Sequence, residues 1–149
     1  MAEIRFNHME LTFPRGALTK ELREEVDAFY SDVFGFVGAD TEVVGQLAHI
    51  LLLDGGSQFI LLAESGKPMA SPGYDHLGFL YNTRAEVDER LERVRRYQEK
   101  DDRVEIIEYD DLVIDDLVVH AFYVKYLLPI YFDVQCMERA GEPVANRLG

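Results

Sequence analysis

The sequence predicts an α+β fold built from two tandem βαβββ modules. Three observations carry that expectation. An eight-residue phrase recurs: Phe6-Asn7-His8-Met9-Glu10-Leu11-Thr12-Phe13 and Tyr74-Asp75-His76-Leu77-Gly78-Phe79-Leu80-Tyr81 share the order aromatic, Asx, His, apolar, x, apolar, x, aromatic, 68 residues apart. A second phrase, Leu47-Ala48-His49, returns as Val118-Val119-His120 at an offset of 71. Between these markers both halves run through the same course of one helix-period segment and three strand-like segments.

The elements follow in order. Each eight-residue phrase alternates and reads as an opening strand. In the first half Leu22, Val26, Phe29, Tyr30 and Val33 recur at helical spacing, which predicts a helix over Thr19–Phe34 stopped by Gly35. Val87, Leu91, Val94 and Tyr97 predict the second helix over Thr83–Lys100, and Thr83 with Glu86 three residues on forms a capping box at its start. Strands are expected at about 38–45, 47–54 and 57–64, then at about 103–110, 112–126 and 129–138. Gly55-Gly56 makes a hairpin turn, and Gly66, Pro68, Ser71, Pro72 and Gly73 form the one linker-like cluster, joining the halves near 65–73. Neither half buries enough surface to stand alone with assurance. The expectation is a single domain over 1–149, with module one at about 1–65, module two at about 74–138 and a tail over 139–149 that lacks periodicity.

Composition narrows the partners. The chain has 149 residues and is 48% hydrophobic, enough for one core. Its net charge of −13 repels phosphate, so neither nucleic acid nor an anionic membrane is expected as a partner. The single cysteine, Cys136, cannot pair internally and lies in an apolar run, which fits a reducing, cytoplasmic setting. Apolar runs such as Ile50–Leu53 and Phe59–Ala63 are far shorter than the ~20 residues of a membrane span. The N-terminus has no basic region followed by an apolar stretch, so secretion is not expected.

Strand alternation sorts the candidate residues by face. His8, Glu10 and Thr12 oppose Met9, Leu11 and Phe13, while His76 and Gly78 oppose Leu77, Phe79 and Tyr81. In the last long strand Tyr131, Asp133 and Gln135 oppose Ile130, Phe132, Val134 and Cys136. His49 and His120 hold matching places on the middle strands, and a histidine titrating near pH 6.5 can act as acid or base. His120 is the stronger candidate, with Phe122 and Tyr126 as an aromatic wall and Tyr131 beside Asp133 suiting a flat apolar substrate.

The paired histidines, the duplicated module and the phrase Ala28-Phe29-Tyr30-Ser31-Asp32-Val33-Phe34-Gly35-Phe36 resemble the vicinal oxygen chelate superfamily, over roughly Ile4 to Met137. That superfamily includes glyoxalases, extradiol dioxygenases, epimerases and bleomycin-resistance proteins. The resemblance implies a curved mixed-sheet cradle of eight strands, with a divalent metal held on its inner face by residues of the first and last strands of the modules. It points to His8, His76 and Asp133 as ligands, with aspartate where metal-binding relatives commonly carry glutamate. Glyoxalase-like relatives add a fourth ligand. Placing Gln58 opposite Tyr131 puts Ile60 at the level of Asp133 and supplies no carboxylate, while Glu64 needs a four-residue slip and Glu10 lies ~7 Å along the strand from His8. Two histidines and one carboxylate leave positions open on Fe(II) for substrate and dioxygen. The resemblance therefore implies a ring-cleaving dioxygenase on a small diol-type substrate, with Fe(II) favoured over Mn, Zn, Ni or Co and His120 or Tyr131 moving a proton. Two alternatives stay open. A glyoxalase- or epimerase-like lyase or isomerase follows if Glu64 reaches the metal, and a metal-free drug-binding resistance protein follows from the attraction of −13 for a cation. A homodimer is expected from the family's habit.

Overall fold

Both recurring phrases fold as strands, and each opens one of two compact units, divided between Ala70 and Ser71. The computed structural model describes residues 2–144. The first unit runs β1 (His8–Pro14), α1 (Lys20–Phe34), β2 (Val37–Val43), β3 (Gln46–Leu52) and β4 (Phe59–Ser65), with sheet order β1-β4-β3-β2. Strands β1 and β4 are parallel, with His8 opposite Phe59 and Glu10 opposite Leu61; the remaining pairs are antiparallel. That register is one residue from the expected one and sets Leu61, not Ile60, at the level that Asp133 holds in the other unit.

Helix α1 begins where Thr19 accepts a bond from Leu22 N at 3.1 Å and ends at Gly35, whose φ of 75° suits a residue without Cβ. Its apolar stripe, Val26, Phe29, Tyr30 and Val33, is wholly buried and forms the unit's core with Leu11, Leu51, Ile60 and Leu62. The turn at Gly55-Gly56 is held by Asp54, whose carboxylate accepts from the backbone of Gly56, Ser57 and Gln58.

The second unit runs β5 (His76–Tyr81), α2 (Arg84–Gln98), β6 (Glu105–Glu108), β7 (Leu112–Ile114), β8 (Leu117–Lys125), β9 (Tyr131–Arg139) and β10 (Glu142–Pro143). Central β9 takes β5 in parallel on one side and β8 antiparallel on the other. At the start of α2 Thr83 accepts from Glu86 N, and the Glu86 carboxylate reaches back to Asn82 N at 3.1 Å. Segment 112–126 is not one strand. It folds back at Asp115-Asp116, where Asp115 takes φ of 56°, so β6 and β7 together form one interrupted strand on β8. Two adjacent aspartates tolerate such a turn and offer nothing to a ladder. From the expected tail, β10 pairs back onto Glu138 and Arg139; residues 145–149 lie outside the described ones.

Each unit fastens its helix to its sheet with the same four side chains. In the first, His49 Nε2 meets Asp27 of α1 at 2.6 Å, His49 Nδ1 meets Asp40 at 2.7 Å, and Arg23 Nε pairs with Asp40 at 3.0 Å. In the second, His120 Nε2 meets Asp88 of α2 at 2.7 Å, His120 Nδ1 meets Asp111 at 2.8 Å, and Arg84 pairs with Asp111 and Glu138. Arg23 to Arg84 and Asp27 to Asp88 are each 61 apart, and Asp40 to Asp111 and His49 to His120 are each 71 apart. A Cβ on Gly38 would fall 1.9 Å from Asp27 Oδ1, so glycine is what lets Asp27 reach its histidine. The bond from His49 holds the Asp40 carboxyl below the usual range, and Arg84, then His120, does the same to Asp111. Burial works against a charged His120, but the bonds to Asp88 and Asp111 outweigh it and its pKa is raised.

Candidate functional site

Within the second unit, parallel pairing of β5 with β9 sets His76 opposite Tyr131 and Gly78 opposite Asp133, and antiparallel pairing sets Tyr123 of β8 opposite Asp133. Residues that pair across strands share a face. His76, Tyr123, Tyr131 and Asp133 therefore stand together on the face turned away from α2, and a Cβ at Gly78 would come 3.3 Å from the Gln135 side chain on that face. Phe132, Val134 and Cys136 are wholly buried on the other face.

The site's geometry starts at His76. Its Nδ1 lies 2.7 Å from the carbonyl of Tyr74, which can only accept, so Nδ1 carries the proton and Nε2 keeps its lone pair. That Nε2 stands 3.9 Å from Asp133 Oδ2 and 3.4 Å from the hydroxyl of Tyr123. Asp133 is 9% exposed, and its Oδ1 is buried with no hydrogen-bond partner. Burial pushes the Asp133 carboxyl above the usual range, and the nearby His76 offsets part of that rise. Desolvation, reinforced by Asp133, raises the Tyr123 hydroxyl, which stays a proton donor. Tyr131 is raised chiefly by burial, and Lys125 Nζ sits 5.2 Å above its ring.

In the first unit His8 is prepared in the same way. Asn7 Nδ2 donates to Ser57 O at 2.8 Å, which turns Asn7 Oδ1 toward His8 Nδ1 at 2.6 Å. His8 Nδ1 then donates, Nε2 is left with a lone pair, and the ring stacks on Phe59 at 4.7 Å. Glu10 is exposed on the same face. Glu64 is not: it pairs with Phe13 on the helix face and spends its carboxylate on Leu18 N at 2.9 Å. Backbone donors Leu18 and Gly16 hold its pKa low.

Among the described residues, no three His, Cys, Asp or Glu side chains converge closely enough to hold a metal ion. A carboxylate with one buried oxygen unpartnered and the other 3.9 Å from an unprotonated imidazole nitrogen nonetheless fits two donors of a divalent cation. His120 does not join them. It pairs with Cys136 across the ladder, on the α2 face, and both of its nitrogens are engaged by Asp88 and Asp111. Phe122 and Tyr126 share that face: Phe122 is buried, and Tyr126 donates to Asp101 at 2.6 Å. The aromatic wall is instead Tyr123 and Tyr109, whose rings meet edge-on at 5.0 Å, with Tyr131 and Tyr74 alongside. The sequence reading missed Tyr123. Its only signal is its register opposite Asp133.

A pocket of about 550 Å³ opens on this face, with Tyr123, Asp133 and Gln135 among its polar lining and Leu117, Val119 and Met137 among its apolar lining. A site of that size suits a small organic molecule. No helix of the described residues is long and apolar enough to cross a membrane.

Over residues 16–107 the sequence matches the Glyoxalase/Bleomycin resistance protein/Dioxygenase superfamily. The chain belongs to this superfamily. Solved members of similar fold include the genomically encoded fosfomycin resistance protein FosX from Listeria monocytogenes, at 16% identity and TM-score 0.60, covering 99% of this chain and 98% of that one. The lactoylglutathione lyase from Agrobacterium tumefaciens is 19% identical with TM-score 0.54, covering 90% and 94%. An integron cassette protein from V. Cholerae is 18% identical with TM-score 0.56, covering 91% and 96%. None of the curated proteins matches the sequence. At these identities the solved structures establish the superfamily's fold, and the reaction has to be argued from this chain's own residues.

Proposed function

We propose that the chain is a metal-dependent enzyme that cleaves the ring of a small diol-type substrate with dioxygen. In this reading His76 and Asp133 hold a divalent metal, Fe(II) in preference to Mn, Zn, Ni or Co. The observation that carries it is the buried Asp133 carboxylate, whose Oδ1 has no partner and whose Oδ2 stands 3.9 Å from His76 Nε2. A divalent ion held by these residues would supply Lewis acidity toward two adjacent substrate oxygens and chemistry with dioxygen. The chain's own groups do the rest. Tyr74 O fixes the His76 tautomer, and Tyr123, Tyr131 and Tyr109 offer ring faces to a flat substrate. The Tyr123 hydroxyl stands 3.4 Å from His76 Nε2 and, with that nitrogen on a metal, would be placed to donate to a substrate oxygen. Glu64 is committed to Leu18 N, which argues against its serving as a further ligand and against the lyase or isomerase branch.

The test is oxygen uptake by anaerobically Fe(II)-loaded protein with a panel of catechols. Uptake is expected, and His76→Ala and Asp133→Ala should each lower it by about two orders of magnitude or more. No uptake by protein of verified iron content removes the dioxygenase reading. Stoichiometric binding of the diol without turnover would then favour a small-molecule binding protein, a role the apolar pocket also suits. A homodimer in a cytoplasmic setting completes the proposal, and sedimentation reads the first of these directly.

A further inference from the structure

The pocket of the second unit is a groove with a direction. Its floor is a row of cross-strand pairs: Tyr123 with Asp133, Ala121 with Gln135, and Val119 with Met137, followed by Leu117. Successive pairs on one face stand ~6.6–6.8 Å apart, so the floor runs ~20 Å from Asp133 to Leu117. The near end is polar and aromatic. The far end is apolar, and β7 extends it, with Leu112 opposite Val119 and Ile114 opposite Leu117, both of them largely exposed.

The charges along this groove have one sign. Its lining includes Asp110, Asp111 and Asp133 and no Lys, Arg or His. Asp111 is matched by Arg84 and His120, which leaves Asp110 and Asp133 facing the groove. Of the strand cations nearby, Arg139 pairs with Leu117 at the far end and is engaged by Asp116 at 2.8 Å, while Lys125 lies past Tyr123 at the opposite end of β8, over the ring of Tyr131. An anionic ligand entering here meets carboxylates and a chain of net charge −13, with no basic side chain in the lining and the one at its far end, Arg139, already paired with Asp116.

We propose that this groove binds an elongated apolar body that carries no negative charge, laid from the Asp133 end toward Leu117. The assignment deepens the reading above by naming the substrate class: a polar head at His76 and Asp133, and a neutral or cationic apolar tail along β8. The head rests on that reading; the groove does not, since its residues hold no metal beyond Asp133.

The experiment is isothermal titration of the EDTA-treated full chain with three probes of one body, 4-phenylbutan-1-ol, 4-phenylbutylamine and 4-phenylbutyrate. The alcohol and the amine should bind, and the butyrate should bind about tenfold more weakly or worse, ~1.4 kcal/mol. Asp110→Asn should narrow the gap between amine and butyrate. Methyl-labelled methionine locates the ligand without any variant that risks folding: saturating alcohol should shift the Met137 resonance and leave Met9 unmoved. Butyrate binding as well as the alcohol, no binding by any probe, or an unmoved Met137 overturns the proposal. Since the titration is run without metal, a chain that binds the alcohol but later shows no oxygen uptake keeps the groove and loses only the reaction.

Discussion

At the residue scale, Asp133 is costly to the fold. Its ionised carboxylate is buried with one oxygen unbonded, and its pKa is raised because burial disfavours the charge. A carboxyl whose folded pKa lies above its unfolded value carries no penalty below about pH 3.9, and the full penalty appears only above the folded pKa. Asp133→Asn should therefore stabilise the metal-free chain at pH 7 by about 1–2 kcal/mol, a rise of roughly 2–6 °C in Tm, with little difference at pH 4. Thermal melts at both pH values, alongside a metal-binding titration that the variant should fail, check this. A variant less stable than the wild type at pH 7 would make Asp133 a structural residue. Asp133, His76 and His8 were legible in the sequence because alternation alone assigns them to a face, and the recurring phrase pairs the histidines. Tyr123 was not. The two faces of β8, Val119-Ala121-Tyr123 and Val118-His120-Phe122, are alike in apolar character, so alternation groups the residues without saying which group meets Asp133. Only the pairing of β8 with β9 decides it.

At the element scale, the same ambiguity explains why His120 reads from sequence as an acid or base and stands in the structure as a fastener. Its function there has a pH signature. The raised pKa of His120 gives a contribution that is full below about pH 6.5 and is lost as pH rises through its folded value. The lowered pKa of Asp111 gives one that is present above about pH 3.9 and is lost as pH falls through its own folded value. Between those limits the α2 fastening is at full strength. His120→Gln should cost about 1–2 kcal/mol at pH 5.5 and distinctly less at pH 8.5, read by urea denaturation at each pH. An equal loss at both would assign the effect to packing. The helices themselves were legible nearly to the residue, because threonine caps and the 3.6-residue apolar stripe are local signals. The break of 112–126 was not, since Asp115-Asp116 sits inside a run whose apolar content on either side satisfies a strand, and the turn needs a positive φ that composition does not announce.

At the scale of the whole molecule, −13 is a large charge for 149 residues, and much of it is exposed. Self-repulsion of that kind weakens the folded state and is relieved by screening beyond a Debye length, which shrinks from about 30 Å at 0.01 M salt to about 8 Å at 0.15 M. Tm should rise by a few degrees, about 1 kcal/mol, as NaCl goes from 0.01 to 0.15 M. A fall would mean that local ion pairs such as Arg95 with Glu108 outweigh the net charge. The duplicated fastening has a consequence of another kind. Arg, Asp, Asp and His recur together on the helix side of both sheets, while the opposite faces have diverged: Glu10 stands where the second half has Gly78, and Leu61 stands where it has Asp133. Anchorage and the candidate site thus occupy opposite faces of the second unit's sheet, and substitutions on the two faces combine nearly independently when they share no partner. Such a chain is evolvable by halves. One copy can be rewritten for a new ligand while the inherited mounting keeps its helix in place.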